Sequence, residues 1–320
     1  MLNYRNFADL AWTVSRELAR IPCDIDIVVG IPRSGLFVAW YIGLARNLPI
    51  IDLPGFLNGG EAAIGRTRPT ACLRTEKPRR ILLVDDSVLR GKTMRQSVER
   101  VRAAHPQAEV VTIVVYGEER QHQGVDIVLD AVPVPRIFEW NMSHSWIVEA
   151  SCYDMDGVLC VDPTQAESAD EAAYQRFLVE AEPLLIPTGR IRKIVTSRLE
   201  QDRAATEDWL ARHGIAYGEL VMLDLPSRAA RRQFGVHGEF KSTVYRDDRQ
   251  ALLFVESEPA QATLIAKTSR KVVFDYEGRR MIQPQNADPI YARTRTAQAS
   301  RSMRRRLARR VPNFLKPLWT

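Results

Sequence analysis

Cysteine is scarce in this chain of 320 residues, which has only Cys23, Cys72, Cys152 and Cys160. None is spaced as Cys-x-x-Cys and no histidine cluster lies nearby, which argues against a zinc site and a disulfide framework. A reduced, cytoplasmic setting is expected. No apolar run is long enough to span a bilayer. The opening segment, MLNYRNFADLAW, lacks a basic region ahead of an apolar stretch, so no signal peptide is expected. Acidic residues are missing from Arg293 to Thr320, a stretch that holds nine Lys or Arg. The net charge of +6 therefore belongs to this tail, and removing its nine charges leaves about −3 on the rest. Composition is otherwise that of a globular protein, and the length allows two domains with a core each.

Apolar periodicity predicts a helix over Asn6–Arg20, with Phe7, Leu10, Ala11, Val14 and Leu18 on one side. Strand Ile25–Val29 follows, then a turn, Gly30–Gly35, into an apolar helix from Leu36. A Gly-rich, charged loop runs from Gly55 to Lys77. Strand Ile81–Val84, helix Lys92–Ala104 and strands Val110–Tyr116 and Asp126–Leu129 complete the first alternation. A second starts at Trp146: strand Ile147–Tyr153, an acidic helix Ala169–Glu182, strand Lys193–Val195, helix Asp202–Arg212 and strand Leu220–Leu223. Strand Leu252–Val255, helix Pro259–Lys267 and strand Lys271–Phe274 close it. Strands alternating with helices predict an α/β protein of two doubly wound domains with mainly parallel sheets. The expected bounds are 1–145 and 146–285, followed by a basic amphipathic tail over 286–320.

The segment ILLVDDSVLRGKT, Ile81–Thr93, delivers Asp85 and Asp86 to the carboxyl end of a buried strand. Ligands bind there in open α/β sheets. The turn Ser87–Thr93 then offers backbone N–H groups, Gly91 and the Thr93 hydroxyl at a helix N-terminus, which favours a phosphate. Paired carboxylates can accept from two vicinal ribose hydroxyls while such a cradle takes a 5-phosphate.

This segment resembles the type I phosphoribosyltransferases, whose signature is a strand, two acidic residues and a phosphate loop ending in Gly-x-Thr. VVGIPRSG, Val28–Gly35, is similar to the same family's pyrophosphate loop. The resemblance covers about the first 145 residues. It implies 5-phosphoribosyl 1-pyrophosphate (PRPP) as donor, with Mg2+. Arg33, Ser34, Gly35, Asp85, Asp86, Arg90, Gly91, Lys92 and Thr93 would bind it. Thr67–Arg74 matches the position of the family's mobile catalytic loop. Leu89 and Arg90 stand where small hydroxyl residues are usual, and Arg90 either adds a charge-assisted phosphate contact or weakens the cradle. Attack opposite an α-pyrophosphate would give a β-linked product. The general base for the acceptor is open, with Asp85 or Asp86 available. Trp140 or Phe138 either stacks on a nucleobase, as a late aromatic does in base-salvage members, or packs between the domains.

In YDMDGVL, Tyr153–Leu159, two carboxylates stand two residues apart at a strand end, and Gly157 permits a sharp turn. A carboxylate nucleophile can form an aspartyl-phosphate while its neighbour protonates the leaving oxygen. This resembles the first motif of the haloacid dehalogenase (HAD) superfamily, with Asp154 as nucleophile and Asp156 as acid/base. The second aspartate is what that family's phosphatases need. In KIVTSR, Lys193–Arg198, the resemblance implies that Thr196 holds the transferring phosphoryl group, with Ser197 as runner-up. Lys241 in GEFKSTVY would neutralise Asp154 and the phosphate. LLFVESEPAQA, Leu252–Ala262, stands where the family has an acidic metal motif, here Glu256 and Glu258. The implied Mg2+ set is Asp154, Asp156, Glu256 and Glu258, with the choice between the glutamates open. This likeness spans about residues 147–283, and Cys152 and Cys160 are expected to pack in its core.

The fused layout resembles the transferase–phosphatase proteins that install β-ribofuranose in bacterial surface polysaccharides. That implies transfer of 5-phosphoribose to a glycan or glycolipid hydroxyl, then removal of the 5-phosphate. In the tail, Met303, Leu307 and Val311 recur every four residues among arginines, and Trp319 lies near the end. This fits peripheral contact with an anionic membrane at its inner face. Nucleic acid competes for the same arginines, but Pro312 and Pro317 break a long helix and no nucleic-acid fold is recognised, so no specific nucleic acid is expected. Two further readings stand beside this one: a nucleobase phosphoribosyltransferase fused to a nucleotide phosphatase, and a metabolite-sensing stress protein.

Overall fold

The computed structural model describes residues 2–65, 77–234 and 237–287. The chain divides into two compact units, Met1–Trp140 and Asn141–Thr320. The segment Thr67–Arg74 and the basic stretch from Arg293 onward lie outside the described residues.

The first unit runs β1 (Asn3–Arg5), α1 (Phe7–Glu17), β2 (Ile27–Gly30), α2 (Ser34–Arg46), β3 (Ile50–Asp52) and α3 (Leu53–Leu57). It continues with β4 (Arg80–Ser87), α4 (Lys92–Ala104), β5 (Glu109–Gly117), β6 (Ile127–Ala131) and β7 (Arg136–Phe138). Asn6 starts α1 through a reciprocal capping box with Asp9, which satisfies two otherwise orphaned N–H groups. Five strands form one parallel sheet in the order β3-β2-β4-β5-β6. Helices cover a parallel sheet on both faces, which is why Val28, Val29, Leu82 and Leu83 are all fully buried. The strand order reverses between β2 and β4, and a crevice opens at their carboxyl ends. β4 extends beyond the expected Val84 to Ser87, because β5 supplies ladder partners at Asp85↔Val114 and Ser87↔Tyr116.

The second unit contains β8 (Ser151–Tyr153), α5 (Gln165–Ala169), α6 (Glu171–Glu180), β9 (Ile191–Leu199), α7 (Arg203–Arg212) and β10 (Tyr217–Leu223). Then come α8 (Arg228–Phe234), α9 (His237–Asp247), β11 (Leu253–Glu256), α10 (Pro259–Ser269), β12 (Val273–Asp275) and β13 (Arg280–Ile282). The six-stranded sheet has the order β10-β9-β8-β11-β12-β13. All pairs are parallel except the edge pair β12–β13. Its order reverses between β8 and β11, which marks the second crevice. The strand expected from Ile147 begins only at Ser151, since Trp146–Ala150 forms a 3-10 helix. The Ser151 hydroxyl donates to the Ile147 carbonyl at 2.6 Å, which gives that oxygen a partner without a strand. Helix α9 and strand β13 were not anticipated. Among the described residues no helix is long and apolar enough to cross a membrane.

Candidate functional sites

At the β2–β4 crevice, Ser34 opens α2 and donates its hydroxyl to Asp86 Oδ1 at 2.8 Å. The indole N–H of Trp140 donates to Asp86 Oδ2 at 2.7 Å. Asp86 is buried and Asp85 half-buried beside it. The Asp86 backbone N–H donates to Asp85 Oδ1 at 2.8 Å. Burial, reinforced by the Asp86 charge, pushes the Asp85 carboxyl up to about 8. Gly35 packs directly on this pair: a Cβ there would lie 2.7 Å from the Val84 carbonyl oxygen and 3.0 Å from Asp85 Oδ1. The structure thus gathers Ser34, Gly35, Asp85 and Asp86.

Arg33, Arg90, Lys92 and Thr93 are exposed. Gly91 precedes α4 at φ +67, and a Cβ on it would sit 2.7 Å from His122 Cε1. No side chain caps α4, so its first N–H groups are open to an anion. Thr93 shares a cavity of about 440 Å³ with Ile31, Pro32 and Ser97, a cavity that Asp85 and Asp86 do not line.

The late aromatics take defined places. Phe138 is buried between Tyr116 and Trp140, with the Phe138 and Trp140 rings parallel at 4.9 Å. Phe138 therefore presents no face to a ligand. Trp140 is held through its N–H on Asp86, a link with no signal in the sequence. Phe7 lies 5.5 Å from Trp140 and 5.0 Å from Phe37, and both phenylalanines are exposed.

The β8–β11 crevice holds a cavity of about 280 Å³. Asp154 follows β8, Glu256 ends β11 and Lys241 enters from α9. The buried face of α9 carries Gly238, Lys241, Ser242 and Tyr245, the i, i+3, i+4, i+7 pattern that turns a helix side inward. Lys241 Nζ donates to Asp154 Oδ2 at 2.6 Å, Glu256 Oε2 at 2.7 Å and Gln261 Oε1 at 3.2 Å. Burial and the Glu256 charge push the Asp154 carboxyl well up, against the pull of Lys241. Burial works against the Lys241 charge, but Asp154 and Glu256 outweigh it and raise its pKa. Thr196 is buried near the end of β9, and its hydroxyl accepts from the Arg198 N–H at 3.1 Å. Gly157 adopts φ +77, a turn that brings Ser257 and Asp162 against it.

The sequence reading overlooked Arg198. Fully buried, it reaches Asp156 Oδ1 with Nε at 3.0 Å and Nη2 at 2.6 Å. A single arginine at a strand end carries no periodic signal, and its partner lies 42 residues away. Asp162, Arg231 and His237 also line the cavity. Cys152 and Cys160 are buried and free.

Carboxylate oxygens are hard donors of the kind Mg2+ takes. Yet no group of three or more His, Cys, Asp or Glu among the described residues is disposed to hold a metal ion. Asp154 and Glu256 face Lys241, Asp156 faces Arg198, and Glu258 caps α10 through the Gln261 N–H. Of the four carboxylates expected to form a metal set, all line the cavity but they are not gathered into one ligand set.

No family model matches the chain. It is 33% identical over 107 residues to the amidophosphoribosyltransferase of Synechococcus elongatus, which covers 28% of this chain and 21% of that protein. The protein of the same name from Pasteurella multocida is 35% identical over 106 residues, covering 28% and 20%. The chain spans about a fifth of the length of these curated relatives. Among solved structures, the Helicobacter pylori xanthine-guanine-hypoxanthine phosphoribosyltransferase aligns at 14% identity and a TM-score of 0.34, over 44% of this chain and 93% of that one. A purine phosphoribosyltransferase from Pyrococcus horikoshii aligns at 18% identity and a TM-score of 0.28, over 43% and 93%. The chain is thus an α/β protein with parallel sheets, similar over part of its length to phosphoribosyltransferases.

Proposed function

We propose that the chain is a bifunctional enzyme of ribofuranosyl transfer. The first unit moves 5-phosphoribose from PRPP to a hydroxyl of a glycan, carried on a lipid. The second, a HAD-type phosphatase, removes the 5-phosphate and leaves β-ribofuranose. One observation carries this reading: Asp85–Asp86 and Asp154–Lys241 occupy the switch points of two sheets in a single chain. The product of the first site is then a phosphomonoester for the second. The likeness to amidophosphoribosyltransferases supports the donor.

In the first step the bond from ribose C1 to pyrophosphate breaks and a bond from C1 to the acceptor oxygen forms. The acceptor proton leaves to Asp85 or Asp86. The pair accepts the ribose hydroxyls, and the uncapped start of α4, with Arg90, Lys92 and Thr93, takes the 5-phosphate. Arg33, exposed at the α2 N-cap position and without an ion pair among the described residues, faces the leaving group. Positioning and charge stabilisation supply the rate.

In the second step an Asp154 oxygen attacks phosphorus while the bond from phosphorus to the ribose oxygen breaks. Asp156 gives that oxygen its proton. Water then attacks the aspartyl-phosphate, returning a proton to Asp156 and releasing phosphate. Thr196 and Lys241 hold the phosphoryl oxygens. Asp154, Asp156 and one of Glu256 and Glu258 would hold Mg2+, which would supply charge neutralisation. Arg198 aims the Asp156 carboxylate. Hydrolysis is irreversible in practice and draws the transfer forward. The work is placed in the cytoplasm, with the basic tail on the inner membrane face.

The test is incubation with PRPP, Mg2+ and either nucleobases or a lipid-like glycoside. Pyrophosphate release is expected with the glycoside, and release with nucleobases alone would overturn the glycan acceptor. An Asp154→Asn variant is expected to accumulate 5-phosphoribosylated product. Full dephosphorylation by that variant would remove the second unit from the reaction.

A further inference from the structure

The cavity at Asp154 is lined by groups of different chemistry. Its lining carries the carboxylates Asp154, Asp156, Asp162, Glu256, Glu258 and Glu277. Its one lysine, Lys241, is hydrogen-bonded to both Asp154 and Glu256. Ser197, Arg231 and His237 line the same cavity.

One of these groups lacks what buried polar groups normally have. The Ser197 hydroxyl is shielded from solvent and has no hydrogen-bond partner among the described residues. Nearly all buried hydroxyls are paired, so an orphan calls for an explanation. Arg231 is half-buried and forms no ion pair among the described residues. Its Nη1 donates to the Ser197 carbonyl at 2.9 Å, and its guanidinium lies 5.8 Å from the Tyr174 ring centroid. Held in this way beside the orphan hydroxyl, the guanidinium keeps donors to spare, since it carries five N–H groups. His237, also half-buried, opens α9 and lines the same cavity. Burial above all, and then the charges of Arg231 and Lys241, push its pKa down. An oxyanion placed here would pair the hydroxyl and the arginine at once.

The proposed phosphatase step leaves Ser197, Arg231 and His237 unused. Asp154, Thr196 and Lys241 suffice for the phosphoryl group being transferred. A bulky neutral leaving group would bury Arg231 and Ser197 unpaired, at a cost in binding. We infer that Ser197, Arg231 and His237 form an anion subsite that selects phosphomonoesters bearing a second anionic group, a phosphate or carboxylate, on the leaving side. The inference rests on the phosphatase reading. For a glycan substrate it means that the acceptor portion is itself acidic.

The test uses the full-length chain and two probes, ribose 5-phosphate and ribose 1,5-bisphosphate. In the Asp154→Asn background, which blocks turnover, calorimetry is expected to show the bisphosphate binding at least about tenfold more tightly. Arg231→Met is expected to abolish that difference while leaving ribose 5-phosphate binding nearly unchanged. Arg231→Lys, which keeps the charge, should restore part of it. In the otherwise wild-type protein, Arg231→Met should raise KM for the bisphosphate and leave kcat alone. Equal weakening of both probes would overturn the subsite and place Arg231 on the phosphoryl group being cleaved. Equal affinity for both probes before mutation would overturn it as well. If neither ester is hydrolysed yet the Arg231-dependent difference in binding persists, the phosphatase reading fails and the subsite stands.

Discussion

The Ser34 hydroxyl donates to Asp86 Oδ1 at 2.8 Å, across 52 residues of sequence. This bond joins the start of α2 to the carboxylates near the end of β4. Two motifs that read as separate in the sequence thereby become one site. The bond also orients Asp86, whose second oxygen is held by Trp140. Each Asp86 oxygen thus already accepts a hydrogen bond within the protein and keeps acceptor capacity for a ligand.

Gly35 should tolerate no side chain. A Cβ would press on the Val84 carbonyl at 2.7 Å, and β4 cannot yield without breaking its pairing to β2. Gly35→Ala is expected to cost about 1–3 kcal/mol, the usual size of an overpacking penalty. Pyrophosphate release should fall with it. Thermal unfolding checks the first expectation, and an unchanged Tm would show that the loop can move away.

Asp85 should make stability depend on pH. With its folded-state value at about 8, against an ordinary 3.8, the folded chain keeps a proton that the unfolded chain has released. Its contribution is full below the ordinary value and is lost as pH rises through about 8. Asp85→Asn stays neutral throughout. The Tm of the variant should therefore gain on the parent as pH rises and level off above about 8. A constant gap across the series would refute the shift.

Lys241 offsets two buried carboxylates, so Lys241→Met should be costly. Leaving Asp154 and Glu256 uncompensated is expected to lose about 3–5 kcal/mol. Adding Glu256→Gln should recover part of the loss, because one unpaired charge is removed. Urea unfolding measures both, and a single variant as stable as the parent would contradict the arrangement.

Trp140→Phe keeps an aromatic ring parallel to Phe138 but deletes the donor to Asp86. A hydrogen bond to a charged group is worth about 1.5–3 kcal/mol. The variant should lose stability in that range and bind PRPP with a higher KM. Wild-type KM together with wild-type Tm would show that the indole N–H is dispensable.

Much of the fold was legible because apolar patterning is local. Helix α4 matches its expected bounds, Lys92–Ala104, since Gly91 starts it and an apolar stripe carries it. Strand β8 was misjudged because the buried Ile147 and Val148 have the same composition in a 3-10 helix as in a strand. Helix α9 was missed since GEFKSTVY mixes β-branched and polar residues, and only its packing makes it helical.

The sequence by itself determined the α/β alternation and put carboxylates at two strand ends, because strand period and turn chemistry act over a few residues. Only the tertiary structure decided which partners those carboxylates have. Ser34 and Trp140 on Asp86, Arg198 on Asp156 and Lys241 between Asp154 and Glu256 are contacts across tens of residues. Strand order creates them, and no local pattern encodes strand order.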